Sequence, residues 1–223
     1  MAIILDVDGT LLDTQEKKTE AYEEIIKRIN EHFPNKNIDM NLFWSVVRIQ
    51  FELFSDFRKN DLEIRLRMIK ALRDFNSMKF NELLPHLVEI YWEKLLEGKE
   101  YPKAREFIEK IANNKIEYYL FSDCSIEEME FKIKLFSNSF FPKFPTIFIS
   151  DHRKSSNSNI ICLGRNKTPE TFDFLKKEYQ TKIMVGDSEL FDIIPAKKAG
   201  LVTFHVRNGE FGNIAEKIIE VLK

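Results

Sequence analysis

Residues 3–12 read Ile-Ile-Leu-Asp-Val-Asp-Gly-Thr-Leu-Leu. Ile3–Leu5 form a short apolar run, Asp6 and Asp8 stand at its end, and Gly9-Thr10 break it. An apolar run of this kind reads as a strand buried on both faces, and such strands belong mostly to parallel sheets. Ligands of open parallel sheets gather beyond the carboxyl ends of the strands. Core packing gives no reason for two acids there, because an unpaired buried carboxylate is very costly. They require a cation, a proton or solvent.

Moving outward from this stretch, the texture of the chain changes twice. Residues 15–97 show helical periods and almost no strand signal. Tyr22, Ile25, Ile26 and Ile29 make one apolar stripe. Asn41 is placed to cap a helix carrying Phe43, Val46, Val47, Phe51 and Phe54, and Asp61 to cap one carrying Leu62, Leu66, Ile69 and Leu72. A fourth helix runs through Leu87, Ile90, Tyr91 and Leu95 to Gly98, with Pro85 expected in or before its first turn. From about residue 103 helix and strand patterns alternate, as in α/β folds. Strands are expected at 116–121, 146–150, 159–163, 182–185 and 201–206. Ser125 with Glu128, Thr168 with Pro169, and Ser188 mark helix starts. The expected architecture is an α/β, Rossmann-like, three-layer parallel-sheet core formed by residues 1–14 and 100–223. An α-helical bundle, residues 15–99, is inserted as a cap.

Composition narrows the function classes. The 223 residues include 34 Lys plus Arg and 36 Asp plus Glu, a net charge of -2, which makes no electrostatic case for nucleic acid or an anionic membrane. No apolar run approaches the ~20 residues of a membrane span. Cys124 and Cys162 are too few for a disulfide framework or a zinc site, and read as reduced thiols of an intracellular, cytoplasmic protein. The acids at residues 6 and 8 interrupt the first apolar segment and no basic region precedes it, so the start does not read as a secretory signal. The 20 phenylalanines read as core filling.

Other strand ends carry functional groups too. The strand ending at Phe121 is followed by Ser122 and Asp123, Lys167 lies just before a helix start, and the strand ending at Val185 is followed by Gly186-Asp187, with Asp192 five residues beyond. If the strands are parallel, Asp6, Asp8, Ser122, Lys167, Asp187 and Asp192 share one rim.

With these residues in order, the chain resembles the haloacid dehalogenase superfamily, in its phosphatase branch. Asp6-Val7-Asp8-Gly9-Thr10 matches the first motif, Leu120-Phe121-Ser122 the second, Lys167-Thr168-Pro169 the third and Gly186-Asp187 through Asp192 the fourth. The resemblance implies a Mg²⁺-dependent phosphohydrolase that cleaves a small phosphorylated metabolite through an aspartyl-phosphate. Asp6 is then the nucleophile and Asp8 the general acid-base. The Asp6 and Asp187 carboxylates and the Asp8 main-chain carbonyl hold the metal. Ser122, Lys167 and the main chain at Asp123 hold the phosphoryl oxygens, and Asp192 orients Lys167 or a metal-bound water. The acid-base role needs a raised pKa, from apolar cover or a like charge. Relatives that cleave carbon–halogen bonds lack the second acid, so Asp8 with Asp187 points to phosphate chemistry. Phosphosugar mutases share the same motifs, and a non-catalytic binding protein is the third alternative.

Two features depart from the family pattern. Asp123 stands where relatives commonly have a neutral residue. The spacing from Ser122 to Lys167 is also long, and the surplus in 137–158 is expected to be a surface loop. In the helical segment, Trp44, Arg48, Arg58, Arg65, Arg67 and His86 are read as core packing (Trp44) or solvated charge, and none is assigned to substrate.

Overall fold

A run of residues that is apolar on both faces is stable only when covered on both, and the computed structural model shows how this is achieved. It describes residues 1–54, 61–136, 140, 141 and 143–223. The chain divides into two compact units, Met1–Asp13 with Lys99–Lys223, and Thr14–Gly98.

The first unit contains strands β1 (Ala2–Asp6), β2 (Glu117–Ser122), β3 (Ile147–Ile149), β4 (Ile160–Cys162), β5 (Thr181–Gly186) and β6 (Val202–His205). They form one sheet in the order β4-β3-β2-β1-β5-β6, and every pair is parallel. In the same unit are helices α5 (Pro102–Asn113), α6 (Ile126–Leu135), α7 (Pro169–Glu178), α8 (Ile194–Lys198) and α9 (Ile214–Leu222), numbered after α1–α4 of the second unit. Side chains alternate across β1. Ile3 and Leu5 pack on one face with Phe107 and Ile108 of α5, Met129 of α6 and Ile218 of α9. Ile4 packs on the other with Phe121, Phe148, Met184, Phe172 and Leu175 of α7, and Ala196 of α8. The result is a three-layer α/β fold with β1 at its centre, between β2 and β5. Those three strands therefore end side by side.

Only part of the stretch 137–158 departs from a surface loop: Ser150 and Asp151 are buried, whereas His152, Arg153 and Lys154 are exposed. Residues 137–139 and 142 lie outside the described residues. Phe140 and Phe141 are buried and pack on Phe136, the first stacked and the second edge-on, ahead of β3 at Ile147. Each buried aromatic removes enough apolar surface to be worth ~2–3 kcal/mol, which outweighs the general tendency of long connections to stay outside. Asp151, fully buried, accepts the Ile126 N–H at 3.0 Å and so also fixes the start of α6.

The second unit consists of α1 (Thr14–His32), α2 (Met40–Leu53), α3 (Leu62–Arg73) and α4 (Ser77–Leu96). Asp61 caps α3 by accepting from the Ile64 N–H. The cap of α2 is Asp39 rather than Asn41: its carboxylate takes the Leu42 N–H at 2.7 Å, so the helix opens two residues earlier. The start of α4 is also earlier. Asn76 caps it, and Pro85 falls inside the helix. The buried stripe Phe80, Leu83, Leu84, Leu87, Tyr91 and Leu95 holds the helix together across the missing hydrogen bond. Arg65 is a core residue of this unit, donating to Gln50 at 2.9 Å and to the Tyr22 hydroxyl at 2.8 Å. Trp44 packs edge-on against Tyr22, Arg67 pairs with Glu63, His86 sits by Glu89, and Arg48 donates to Ser45. Arg58 lies outside the described residues. None of the helices is long and apolar enough to cross a membrane, among the described residues.

Where the chain leaves the sheet unit and re-enters it, the two strands of the connection pair. The Asp13 N–H donates to the Lys99 carbonyl at 3.0 Å, the Tyr101 N–H to the Leu11 carbonyl at 3.0 Å, and the Asp13 carboxylate takes the Lys99 N–H.

Pro85 is exposed and interrupts an otherwise continuous α4. Pro85→Ala restores the missing N–H and is expected to raise the unfolding free energy by about 1–2 kcal/mol, net of the entropy lost from the unfolded chain. Denaturant unfolding measures this. A less stable variant would show that the proline fits the helix without strain.

Candidate active site

Asp6 is the last residue of β1 and is 5% exposed. Its carboxylate is held at both oxygens: Thr10 donates to Oδ2 at 3.0 Å, and the Lys167 ammonium donates to Oδ1. Lys167 precedes α7, whose N-cap is Thr168 and whose first residue is Pro169. From there its ammonium reaches back to the sheet and also donates to Asp192 Oδ1 at 2.7 Å. Asp192, 1% exposed, lies on a π-helical turn, Glu189–Ile193, that follows β5. Its second oxygen takes the Ser188 N–H at 3.0 Å. Such a turn sets Asp192 closer to the sheet end than a loop would, and it works only because residue 186 is glycine. A Cβ there would lie 2.4 Å from Asp192 Oδ2.

Asp187 directly follows β5. Its carboxylate lies so near Gly9 that a Cβ at that position would meet it at 2.3 Å, and Gly9 itself has φ +74°. Space and backbone conformation therefore both call for glycine at 9. His205, at the end of β6, donates from Nε2 to the Asp187 carbonyl at 2.6 Å and so steadies the turn. Asp6, Asp187 and Asp192 can each place one carboxylate oxygen so that all three lie within 4.8 Å of one another.

The electrostatics follow from this crowding. Burial, reinforced by Asp192, pushes the Asp6 carboxyl well above the ordinary aspartate range, with Lys167 pulling the other way. Asp187 is raised for the same reasons, burial first and Asp192 next. Burial alone would depress Lys167, but Asp192, Asp6 and Asp123 outweigh it and hold the ammonium charged. One cation does not balance three acids. An all-oxygen set with excess negative charge suits a hard divalent cation such as Mg²⁺.

Asp8 does not join this group with its side chain. The carboxylate turns toward the end of β2, where Ser122 Oγ donates to Oδ2 at 3.2 Å. Lys132, from α6, reaches the same oxygen at 2.5 Å. So Asp8 meets an ammonium directly, while the like charges anticipated for it are also near: its carboxylate helps to raise Asp6 and Asp187. The Asp123 carboxylate accepts the Lys167 N–H at 3.1 Å, and its charge is among those that hold the Lys167 ammonium, so it is compensated beside Ser122. Cys124 is 1% exposed, and burial pushes its thiol up to about 12, as an inert core thiol requires.

Of the residues singled out from the sequence, the structure thus gathers Asp6, Lys167, Asp187 and Asp192 in one group. Asp8 and Ser122 lie in an adjoining one. Thr10, Lys132 and His205 were not singled out as functional residues, and Glu128 was read only as part of a helix start. Thr10 could have been found as a hydroxyl four residues from Asp6. Glu128 and Lys132 look like an ordinary solvated i,i+4 pair, and only burial sets them apart.

A family model described as haloacid dehalogenase-like hydrolase matches residues 1–200. A haloacid dehalogenase-like family hydrolase from Xanthomonas campestris superposes with a TM-score of 0.68 at 15% identity, over 100% of this chain and 92% of that one. A 2-haloacid dehalogenase from Pseudomonas syringae pv. Tomato gives 0.60 at 15% identity, over 99% and 100%. A protein from Bacillus subtilis, assigned as a HAD hydrolase and solved bound to magnesium, gives 0.63 at 18% identity, over 99% and 97%. At these identities the likeness is one of fold. No curated protein matches the sequence.

The raised Asp6 and Asp187 carboxyls have a consequence for stability. Folded, they keep protons that the unfolded chain has already released. Their contribution is therefore present at acid pH and is lost as pH rises through the folded-state values. A divalent cation held by the ionised forms would restore it. The gain in Tm on adding millimolar Mg²⁺ is expected to be larger at about pH 8 than at about pH 5. A gain that is flat or shrinks with pH would contradict this account of the cluster.

Proposed function

The chain belongs to the haloacid dehalogenase-like hydrolases, and from that premise we propose that it is a Mg²⁺-dependent phosphohydrolase of small phosphate monoesters. The observation that carries this reading is the second acid. Asp8 stands two residues beyond Asp6, outside the Asp6–Asp187–Asp192 group and hydrogen-bonded to Ser122. Displacing a halide needs no proton donor, whereas expelling an alcohol from phosphorus does.

In this mechanism a carboxylate oxygen of Asp6 attacks phosphorus and the bond to the leaving oxygen breaks, giving an aspartyl-phosphate. Asp8 gives its proton to the departing alkoxide. It then takes one from the water that attacks the same phosphorus and releases Asp6. Lys167 and the Ser122 hydroxyl hold phosphoryl oxygens, with main-chain N–H groups near Val7, Asp8 and Asp123. Thr10 and Lys167 fix the direction of the nucleophile, and Asp192 holds Lys167 in place. Asp6, Asp187 and the Asp8 main-chain carbonyl would hold Mg²⁺, with Asp192 close by; when bound it supplies the positive charge that offsets repulsion between Asp6 and a dianionic phosphate. Positioning and electrostatics thus provide most of the acceleration. The helical unit Thr14–Gly98, inserted between Asp13 and Lys99, serves as a cap, a device that favours small substrates over phosphoproteins.

Purified protein is expected to release phosphate from 4-nitrophenyl phosphate with Mg²⁺. Chelation with EDTA should abolish this release, and Asp6→Asn should lower it by at least about 10³-fold. Metal-independent turnover, or an unimpaired Asp6→Asn, would remove the reading. Isomerised sugar phosphate in place of free phosphate would replace it with a mutase.

A further inference from the structure

One charged group near the site has no task in that mechanism. Lys132, in the last turn of α6, has a fully buried side chain, and its ammonium sits 2.5 Å from Asp8 Oδ2, 2.8 Å from Glu128 Oε1 and 3.3 Å from Ser122 Oγ. An ammonium taken out of water costs several kcal/mol unless it is closely paired. The lysine is therefore poorly explained by packing alone.

Its partners come from three places. Asp8 is in the turn after β1, Ser122 ends β2, and Glu128 is one helical turn away on α6. Lys132 joins the three. Ser122 donates to Asp8 Oδ2 and its oxygen accepts from Lys132, so Asp8, Ser122 and Lys132 close a triangle on one carboxylate oxygen. Contacts converging on a single oxygen fix the plane and direction of the carboxylate. Glu128 offsets the lysine's charge, so the pair orients Asp8 while adding no net charge of its own. Lys132 is enclosed by protein and spent on protein partners, which distinguishes it from a group that grips substrate.

Building on the phosphohydrolase reading, we propose that Lys132 is a positioning residue that aims Asp8 at the leaving oxygen. A proton donor must lie within hydrogen-bond reach of that oxygen, and a carboxylate on a short turn swings freely unless it is tied down. The dependence on leaving group separates this role from a structural one. A good leaving group departs with little help, whereas a poor one needs the proton.

The test is a series of substituted phenyl phosphates of similar size, from 4-nitrophenyl to 4-methoxyphenyl. For each, kcat/KM is measured in the wild type, Lys132→Met and Asp8→Asn. The expected result is a shallow dependence in the wild type and a steep one in Lys132→Met that approaches Asp8→Asn. Lys132→Met should lose less than about tenfold with 4-nitrophenyl phosphate and about 100-fold with 4-methoxyphenyl phosphate. Lys132→Met leaves Glu128 without this cation, so the double variant Glu128→Gln with Lys132→Met provides the same reading if the single variant does not fold. Equal losses across the series, with an unchanged slope, would overturn the proposal and leave Lys132 a structural residue. A wild type inactive on the whole series would overturn the phosphohydrolase reading itself, a different result from a uniform loss in the variant.

Discussion

Asp6 and Asp192 share the Lys167 ammonium with Asp187 close beside them, and much of the local architecture serves to make that arrangement tolerable. Buried carboxylates are costly when crowded. Lys167 compensates Asp6 and Asp192 directly, Thr10 donates to Asp6, and the Ser188 N–H donates to Asp192. The glycines at 9 and 186 exist because those carboxylates leave no room for a Cβ. The excess negative charge that remains suits a divalent cation, which under the proposed function would make a carboxylate nucleophile compatible with a phosphate dianion. Parallel pairing of β1 with both β2 and β5 brings the contributing strand ends together.

Much of this is legible in the sequence, for physical reasons that differ from place to place. β1 and β5 can be read because central parallel strands are apolar on both faces, so Ile3–Leu5 and Ile183–Val185 stand out without alternation. Asp61 and Thr168 make the cap bonds expected of them, to the Ile64 and Thr171 N–H groups. Asn41 misleads because Asp39, two residues earlier, makes the bond. Pro85 misleads in the opposite direction. Its local preference argues for a helix start, and the buried stripe from Phe80 to Leu95 overrides it. The π-helical turn at Glu189–Ile193 has no periodic signature, since five residues are too few to show one.

The least legible part is the neighbourhood of Asp8. On sequence grounds the acid-base role calls for apolar cover or a like charge. The structure sets Lys132 and Ser122 against Asp8, and Glu128 against Lys132. Glu128 and Lys132 have the spacing of a solvated helical pair, so charge patterning points outward while the fold turns both inward. On the proposed reading, the nucleophile group and the acid-base group lie side by side, each with its own lysine. Lys167 belongs to the first and Lys132 to the second. A 2-haloacid dehalogenase shares the same fold, so under the proposed function the second group, rather than the fold, would decide which bond is broken.

The central claim is that Asp6 takes the phosphoryl group. The most direct measurement is to mix the protein with 4-nitrophenyl phosphate and Mg²⁺, quench in acid within a turnover, and map modified peptides by mass spectrometry. The account predicts the added mass of one phosphoryl group on Asp6 alone, with Asp8, Asp187 and Asp192 unmodified. A phosphoryl group on another residue would contradict it, and so would rapid phosphate release with no modified peptide at any quench time.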